Sequence, residues 1–262
     1  MSPTPDQRLL ALATCQHGVV TTAQAVRLGL SQNQLSARVR SGQYRSLWRG
    51  VMWVRPDGPD VPWLTRVHGA LLLCGPHAAA ALGTAADLQR IAGHDTGWSE
   101  VQVLLPRLAK RRSPPGIALH FWDVPPDSTL VVDRIRCSNA VRTIADLVPR
   151  LARNQAVACL DSALNRRLIS ASDLVSAQQI ARGRPGAARA SLWWTLPDAR
   201  ADSPLETWAR LDCMDAGLSP DELQWPVLTA AGEVIGYGDL AWLGRRRPLV
   251  AEADGDGSAQ YT

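Results

Sequence analysis

Thr22-Ala23-Gln24-Ala25-Val26-Arg27-Leu28-Gly29-Leu30-Ser31-Gln32-Asn33-Gln34-Leu35-Ser36-Ala37-Arg38-Val39-Arg40-Ser41 reads as two short helices joined by a tight turn. Thr22 can cap the first of them, and Gly29 ends it after Leu28. Ser31 followed by Gln34 is a capping-box pattern that starts the next helix, which runs toward Ser41. In that helix Leu35 and Val39 stand four apart and face a core. The opposite face presents Gln32, Asn33, Ser36 and Arg40. Upstream, Leu9, Leu10, Leu12 and Ala13 mark a preceding helix. Downstream, Tyr44 to Arg55 is rich in aromatic and β-branched residues around Arg49-Gly50, which predicts two short strands and a turn.

Helix, helix, helix, hairpin is the order of a winged helix-turn-helix, whose second motif helix enters the major groove of DNA. Gln32 and Asn33 can pair bidentately with adenine and Arg40 with guanine, with Ser36 between them. Arg45, Arg49 and Arg55 on the hairpin suit phosphate contacts, which position without reading sequence. Arg38 completes the candidate DNA-binding set. The charge of this segment agrees: Arg8, Arg27, Arg38, Arg40, Arg45, Arg49 and Arg55 face Asp6 alone. The competing reading is a solvated helix surface, or a winged helix that docks a protein.

The rest of the composition narrows the field. The chain has 262 residues, 46% of them hydrophobic and 20% charged, with a net charge of +4. Those values are ordinary for a globular protein of one large domain or two to three small ones. Lys110 is the sole lysine, so Walker and Schiff-base lysine chemistry has no other candidate. Cys15, Cys74, Cys137, Cys159 and Cys213 are scattered, odd in number and never in CxxC spacing, which argues against a zinc ribbon or a disulfide framework. They read as reduced thiols of a cytoplasmic protein. No charged-then-apolar leader opens the chain, and the longest apolar stretch, Gly69 to Cys74, is far short of a membrane span.

Three blocks follow one another in an expected α+β multidomain fold. Residues 1–62 form the winged helix-turn-helix. Residues 63–199 form a mixed α/β middle domain, with helices expected at Trp63–Cys74, Ala78–Ile91, Ala140–Leu151, Gln155–Arg166 and Ala171–Ala181. Its strands are expected at Val101–Leu105, Ile117–Trp122 and Leu130–Ile135. Pro106–Gly116, with Arg107, Lys110, Arg111 and Arg112, reads as a basic exposed loop, and Arg182–Gly186 as a turn. Residues 200–262 open with Ser203-Pro204-Leu205-Glu206, a helix start with proline at the first helical position. That helix is expected to reach Ala216, with strands at Gln224–Thr229, Val234–Leu243 and Leu249–Ala253. From Asp202 onward acids outnumber arginines, the reverse of the N-terminal block.

A family resemblance runs through the first two blocks. His17-Gly18-Val19-Val20-Thr21-Thr22-Ala23-Gln24-Ala25, Leu30-Ser31 and Leu47-Trp48-Arg49-Gly50-Val51-Met52-Trp53-Val54 resemble the N-terminal domain of AbiEi-type antitoxins. The likeness continues through His77-Ala78-Ala79-Ala80, Val101–Arg112, Arg142-Thr143-Ile144-Ala145-Asp146-Leu147 and Leu160-Asp161-Ser162-Ala163-Leu164. The resemblance implies a transcriptional repressor of its own operon that neutralises a nucleotidyltransferase toxin, with duplex DNA as a further partner and no membrane.

At the C-terminal end, pairing of Val234–Leu243 with Leu249–Ala253 around Arg245-Arg246 puts Asp239 opposite Glu252. Directly opposed side chains lie about 4.5–5.5 Å apart, and like charges there destabilise unless compensated. Strand alternation adds Asp254 to the face of Glu252. Three such carboxylates make a plausible hard-cation site for Mg²⁺ or Mn²⁺, able to activate water at a phosphate. Ser203-Pro204-Leu205-Glu206, Gly238-Asp239-Leu240-Ala241-Trp242 and Val250-Ala251-Glu252-Ala253-Asp254-Gly255 resemble a Vsr-like domain of unknown function related to PD-(D/E)xK endonucleases. That resemblance implies Asp239, Glu252, Asp254 and Glu206 as catalytic residues, with Asp239 and Glu252 as metal ligands. Two departures point to a degenerate tail that holds no metal: Asp254 stands where the typical site has lysine, and the chain stops at Thr262, before the expected helix and last strands. Glu206 can equally complete a capping box with Ser203. The residues thus lead to a DNA-binding regulator, with two alternatives: a Mg²⁺-dependent endonuclease targeted by its winged helix, and a protein-interaction module that does not bind DNA. His68 and His120 receive no role.

Overall fold

The computed structural model describes residues 3–54, 56–94, 99–109, 111–244 and 247–254. Arg55, Lys110 and the Arg245-Arg246 turn, which figured in the sequence reading, lie outside the described residues. The protein is a mixed α+β chain that divides into two compact units, residues 1–88 with 97–139, and residues 89–96 with 140–262.

The first unit opens with α1 (Pro5–Cys15), β1 (Val19–Thr21), α2 (Thr22–Arg27), α3 (Gln32–Arg40), β2 (Tyr44–Trp48) and β3 (Val51–Val54). One device starts all three helices. Thr4 with Gln7, Thr21 with Gln24 and Ser31 with Gln34 each exchange hydroxyl and amide bonds with the first-turn backbone. The cap of α2 is therefore Thr21, one residue before the expected Thr22. Gln24 explains the difference, because its Oε1 accepts the Thr21 N–H at 2.8 Å while Thr21 Oγ1 accepts the Gln24 N–H at 3.1 Å. The strands form an antiparallel sheet in the order β1-β3-β2. Gly50, at φ +83°, makes the turn into β3, whose four residues are all buried. Leu9, Ala13, Val20, Ala25, Leu30, Leu35, Tyr44, Met52 and Val54 fill the core between sheet and helices. Sequence patterning anticipated the hairpin; β1 was too short to announce itself.

The same unit continues with α4 (Trp63–Cys74), β4 (Ala79–Ala80), α5 (Leu82–Leu88), β5 (Val101–Leu105), β6 (Ile117–Phe121), β7 (Thr129–Val132) and β8 (Ile135–Ser138). These strands build a mixed sheet ordered β6-β5-β4-β8-β7. Two expectations change here. Ala78–Ile91 is not one helix: Ala79 and Ala80 form the middle strand, antiparallel to β5 and parallel to β8. Alanine favours helix, but both residues are buried between two paired strands, and tertiary packing overrides propensity. Leu130–Ile135 is not one strand either. The chain reverses at Asp133 and Arg134, with φ +47° and +63°, into the β7–β8 hairpin. Two-residue hairpins usually advertise themselves by Asn-Gly or Asp-Gly, and Asp-Arg carries no such signal.

The second unit consists of α6 (Ala140–Leu147), α7 (Arg153–Asn165), α8 (Ala171–Ala181), α9 (Pro204–Asp215), β9 (Glu222–Leu228), β10 (Val234–Trp242) and β11 (Leu249–Ala251). Helix α6 stops short of the expected Leu151, because Pro149 forces a 3₁₀ turn at Val148–Arg150. The strands are antiparallel in the order β11-β10-β9. Two buried carboxylates tie the helices together. Asp146 on α6 accepts Arg142 Nε at 2.7 Å and pairs with Arg184 beyond α8. Asp161 on α7 accepts Arg210 Nη2 and Thr207 Oγ1 from α9, each at 2.8 Å, and the Asp198 N–H at 2.7 Å.

Burial pushes the Asp161 carboxyl upward, and Arg210 pulls it back. Removing one member of such a pair strands the other charge in the interior. Asp161→Ala should therefore lower stability by about 3–5 kcal/mol. Urea unfolding checks this, and a loss within error of zero would show that α9 is held by apolar packing alone.

Candidate functional site

In α3 the residues Gln32, Ser36 and Arg40 fall at i, i+4 and i+8, so they form one stripe along the helix. All three are exposed, as is the adjoining Asn33, while Leu35 is 3% exposed and seals the opposite face. The structure thus brings together four of the residues singled out for base contact. Arg40 in the last turn also faces the negative end of the helix. Arg49 is exposed at the β2–β3 turn.

The other two arginines have partners. Arg38 reaches back to α1, where its Nη2 lies 2.7 Å from Asp6 Oδ1, and its guanidinium stacks 5.5 Å from the centre of the Tyr44 ring. It clamps α3 to α1 and β2. Arg45 is exposed, yet its Nη1 donates to the Pro59 carbonyl. Sequence reasoning could weigh Arg38 only by charge; its pairing with Asp6 spans 32 positions and left no local signal.

A second polar centre joins α9 to the C-terminal sheet. Glu206, 8% exposed, accepts the Asp202 N–H and Gln224 Nε2, each at 2.9 Å through Oε2. The same Gln224 amide donates to Asp239 Oδ1 at 3.0 Å, and Asp239 Oδ2 accepts the Ala253 N–H at 2.8 Å. Gln224 therefore bridges two of the predicted carboxylates, and sequence reasoning missed it. Its backbone sits at φ +51° within β9, opposite Asp239 of β10. Gly238 permits the arrangement, because a Cβ there would collide with Val250 of β11.

β11 ends at Ala251, two residues short of the expected strand, and the β10–β11 ladder runs from Trp242–Leu249 to Leu240–Ala251; Asp239 and Glu252 are the next positions along it. The side chains part company nonetheless: Asp239 turns to Gln224 and Ala253, while Glu252 and Asp254 are exposed. Among the described residues no group of three or more His, Cys, Asp or Glu side chains is arranged to hold a metal ion. Ser203 caps α9 through the Glu206 N–H at 3.2 Å, but the Glu206 carboxylate turns to Asp202 and Gln224 instead of closing the box on Ser203.

Two histidines form a third cluster. His17 Nδ1 and His68 Nδ1 are 3.0 Å apart, and His17 Nε2 lies 3.5 Å from Asp133 Oδ2. His120 is structural, held by Gln102 Oε1 at 2.7 Å and stacked on Trp122.

These features define a multidomain α+β protein with an exposed polar helix stripe and a half-buried carboxylate–amide bridge. No protein-family model matches the chain. It is 32% identical over 223 residues to the uncharacterised proteins MT2308 and Rv2248 of two Mycobacterium tuberculosis strains, covering 85% of this chain and 78% of each relative. The chain belongs to the family of these two mycobacterial proteins. Among solved structures, the RV2827C protein of Mycobacterium tuberculosis aligns with a TM-score of 0.40 at 17% identity, over 76% of this chain and 83% of that one.

Burial first, and the neighbouring His17 second, lower the pKa of His68 from 6.5 to about 4. Between those values the folded protein binds fewer protons than the unfolded chain, so stability is present above pH 6.5 and drains as pH falls toward 4. The loss should be on the order of 2 kcal/mol, discounted for partial exposure. Urea unfolding at pH 7 and pH 4.5 measures it, and His68→Gln should flatten the difference.

Proposed function

We propose that the chain is a DNA-binding transcriptional regulator whose α2–turn–α3 and β2–β3 hairpin act as a winged helix-turn-helix. The observation that carries this reading is the Gln32–Ser36–Arg40 stripe, flanked by Asn33, on a helix anchored to the core by the buried Leu35 and the half-buried Val39. A short helix that spends its apolar side on the core and leaves amide, hydroxyl and guanidinium groups in line has the donors and acceptors that base edges require. Arg49 at the hairpin turn supplies a backbone contact, with Arg45 beside it. Arg38 belongs to the support of this surface, holding α3 against α1.

The AbiEi-type resemblance supports extending the reading to an antitoxin that represses its own operon and neutralises a nucleotidyltransferase toxin in the cytoplasm. Its described cysteines are all free thiols, in keeping with a reducing compartment. Among the described residues no helix is long and apolar enough to cross a membrane. We read residues 200–262 as a nuclease-like fold that has lost its chemistry, because the Gln224 amide lies between Glu206 and Asp239 and donates to both. The endonuclease alternative requires Mg²⁺-dependent nicking of duplex DNA that disappears in Asp239→Ala.

Mobility shifts on the chain's own promoter test the main reading. Arg40→Ala should cost about 1–3 kcal/mol and relax base preference, while Arg49→Ala should weaken all duplexes alike. Affinity should fall with salt at a slope of about −0.9 per phosphate neutralised. A flat salt response, or unchanged binding by the Gln32→Ala, Arg40→Ala double variant, would overturn it.

A further inference from the structure

A cleft of about 540 Å³ opens within the first unit, walled by α2, α4 and the β7–β8 hairpin. Its floor is apolar, made by Leu71, Leu72 and Ile135. Arg27, Arg134 and Arg136 line the cleft together with Thr21, Gln24 and His68, and among the described residues no carboxylate belongs to the lining. Arg27 and Arg134 are exposed and make no ion pair among the described residues. Arg136 is half-buried and uses Nε and Nη2 on Thr129 Oγ1, at 3.3 and 3.2 Å. The nearest acid in sequence, Asp133, pairs with His17 at 3.5 Å, and His17 in turn meets His68 of the lining.

We infer that this cleft binds a small organic anion, with its carboxylate or phosphate on Arg134 and Arg136 and its apolar body over Leu71, Leu72 and Ile135. Three like charges around one concavity repel one another, and an anion between them converts that repulsion into charge-assisted hydrogen bonds. The volume falls within the range of about 300–1,000 Å³ common to small-ligand sites. Arg134 adds an independent sign. It occupies the second position of a tight hairpin turn at φ +63°, where glycine is favoured, so the guanidinium is kept at the cleft at a conformational cost. This inference goes beyond the DNA reading and stands without it.

Phenyl phosphate and benzoate, titrated into the full chain by calorimetry, probe the phosphate and carboxylate forms of such a ligand; inorganic phosphate probes the head alone and phenol the body alone. At least one of the two aromatic anions should bind, more tightly than inorganic phosphate, and phenol should give no heat. Arg134→Gly relaxes the turn while removing the guanidinium, so it should fold normally and weaken binding by about tenfold, the loss of one charge-assisted contact. Arg136→Ala should do the same. Absence of heat with both aromatic anions, or equal affinity in Arg134→Gly, overturns the proposal. So does a result in which Arg134→Gly weakens only duplex DNA, since the guanidiniums would then serve a nucleic-acid backbone.

Discussion

The carboxylate of Asp161 is the constraint on which the second unit depends. It is almost wholly buried, and both its oxygens are occupied: Oδ1 by the Asp198 backbone, Oδ2 by Thr207 and Arg210. A charge in that position is costly unless each lone pair finds a donor, so three separate parts of the chain are required at once. Arg210 and Thr207 lie one turn apart on α9, and this fixes both the height and the rotation of the helix against α7. The rotation in turn decides where Glu206 emerges. The bridge from Glu206 through Gln224 to Asp239 is thus a consequence of an ion pair in the helical core.

The first unit solves a different problem, that of leaving a helix face bare without losing the helix. Helix α3 has only nine residues, too few to stand alone in water. Its Ser31–Gln34 box satisfies the first turn, Leu35 anchors the middle, and Arg38 clamps the last turn to Asp6 and Tyr44. With stability drawn from the caps and the packed side, the Gln32–Ser36–Arg40 stripe is free of structural duty.

How far this architecture could be read in advance depended on the range of the forces involved. Helices with apolar periodicity were legible almost to the residue, as at Trp63–Cys74 and at Ala171–Ala181, which Ser170 caps. So were short, largely apolar strands such as Val101–Leu105. What escaped was set by neighbours distant in sequence: Ala79-Ala80 is a strand because two others flank it, and the Asp133-Arg134 reversal has no glycine to betray it. At the candidate sites the exposed α3 residues were legible from a four-residue spacing. The carboxylate centre was half legible. The β10–β11 pairing that brings Asp239 toward Glu252 was anticipated, but the partner Asp239 takes is Gln224, a neutral residue that no count of charges would single out.

Strand β9 lies at the margin of the C-terminal sheet, and the β9–β10 hairpin shows water a series of apolar side chains, among them Val227, Leu228, Ile235 and Tyr237. Such a margin invites another strand to dock along it. Pro226 interrupts its row of amide donors, and the left-handed backbone at Gln224 breaks its line two residues earlier. The same glutamine that joins two acids therefore also roughens the outer rim, and a broken rim disfavours the addition of a further strand along it.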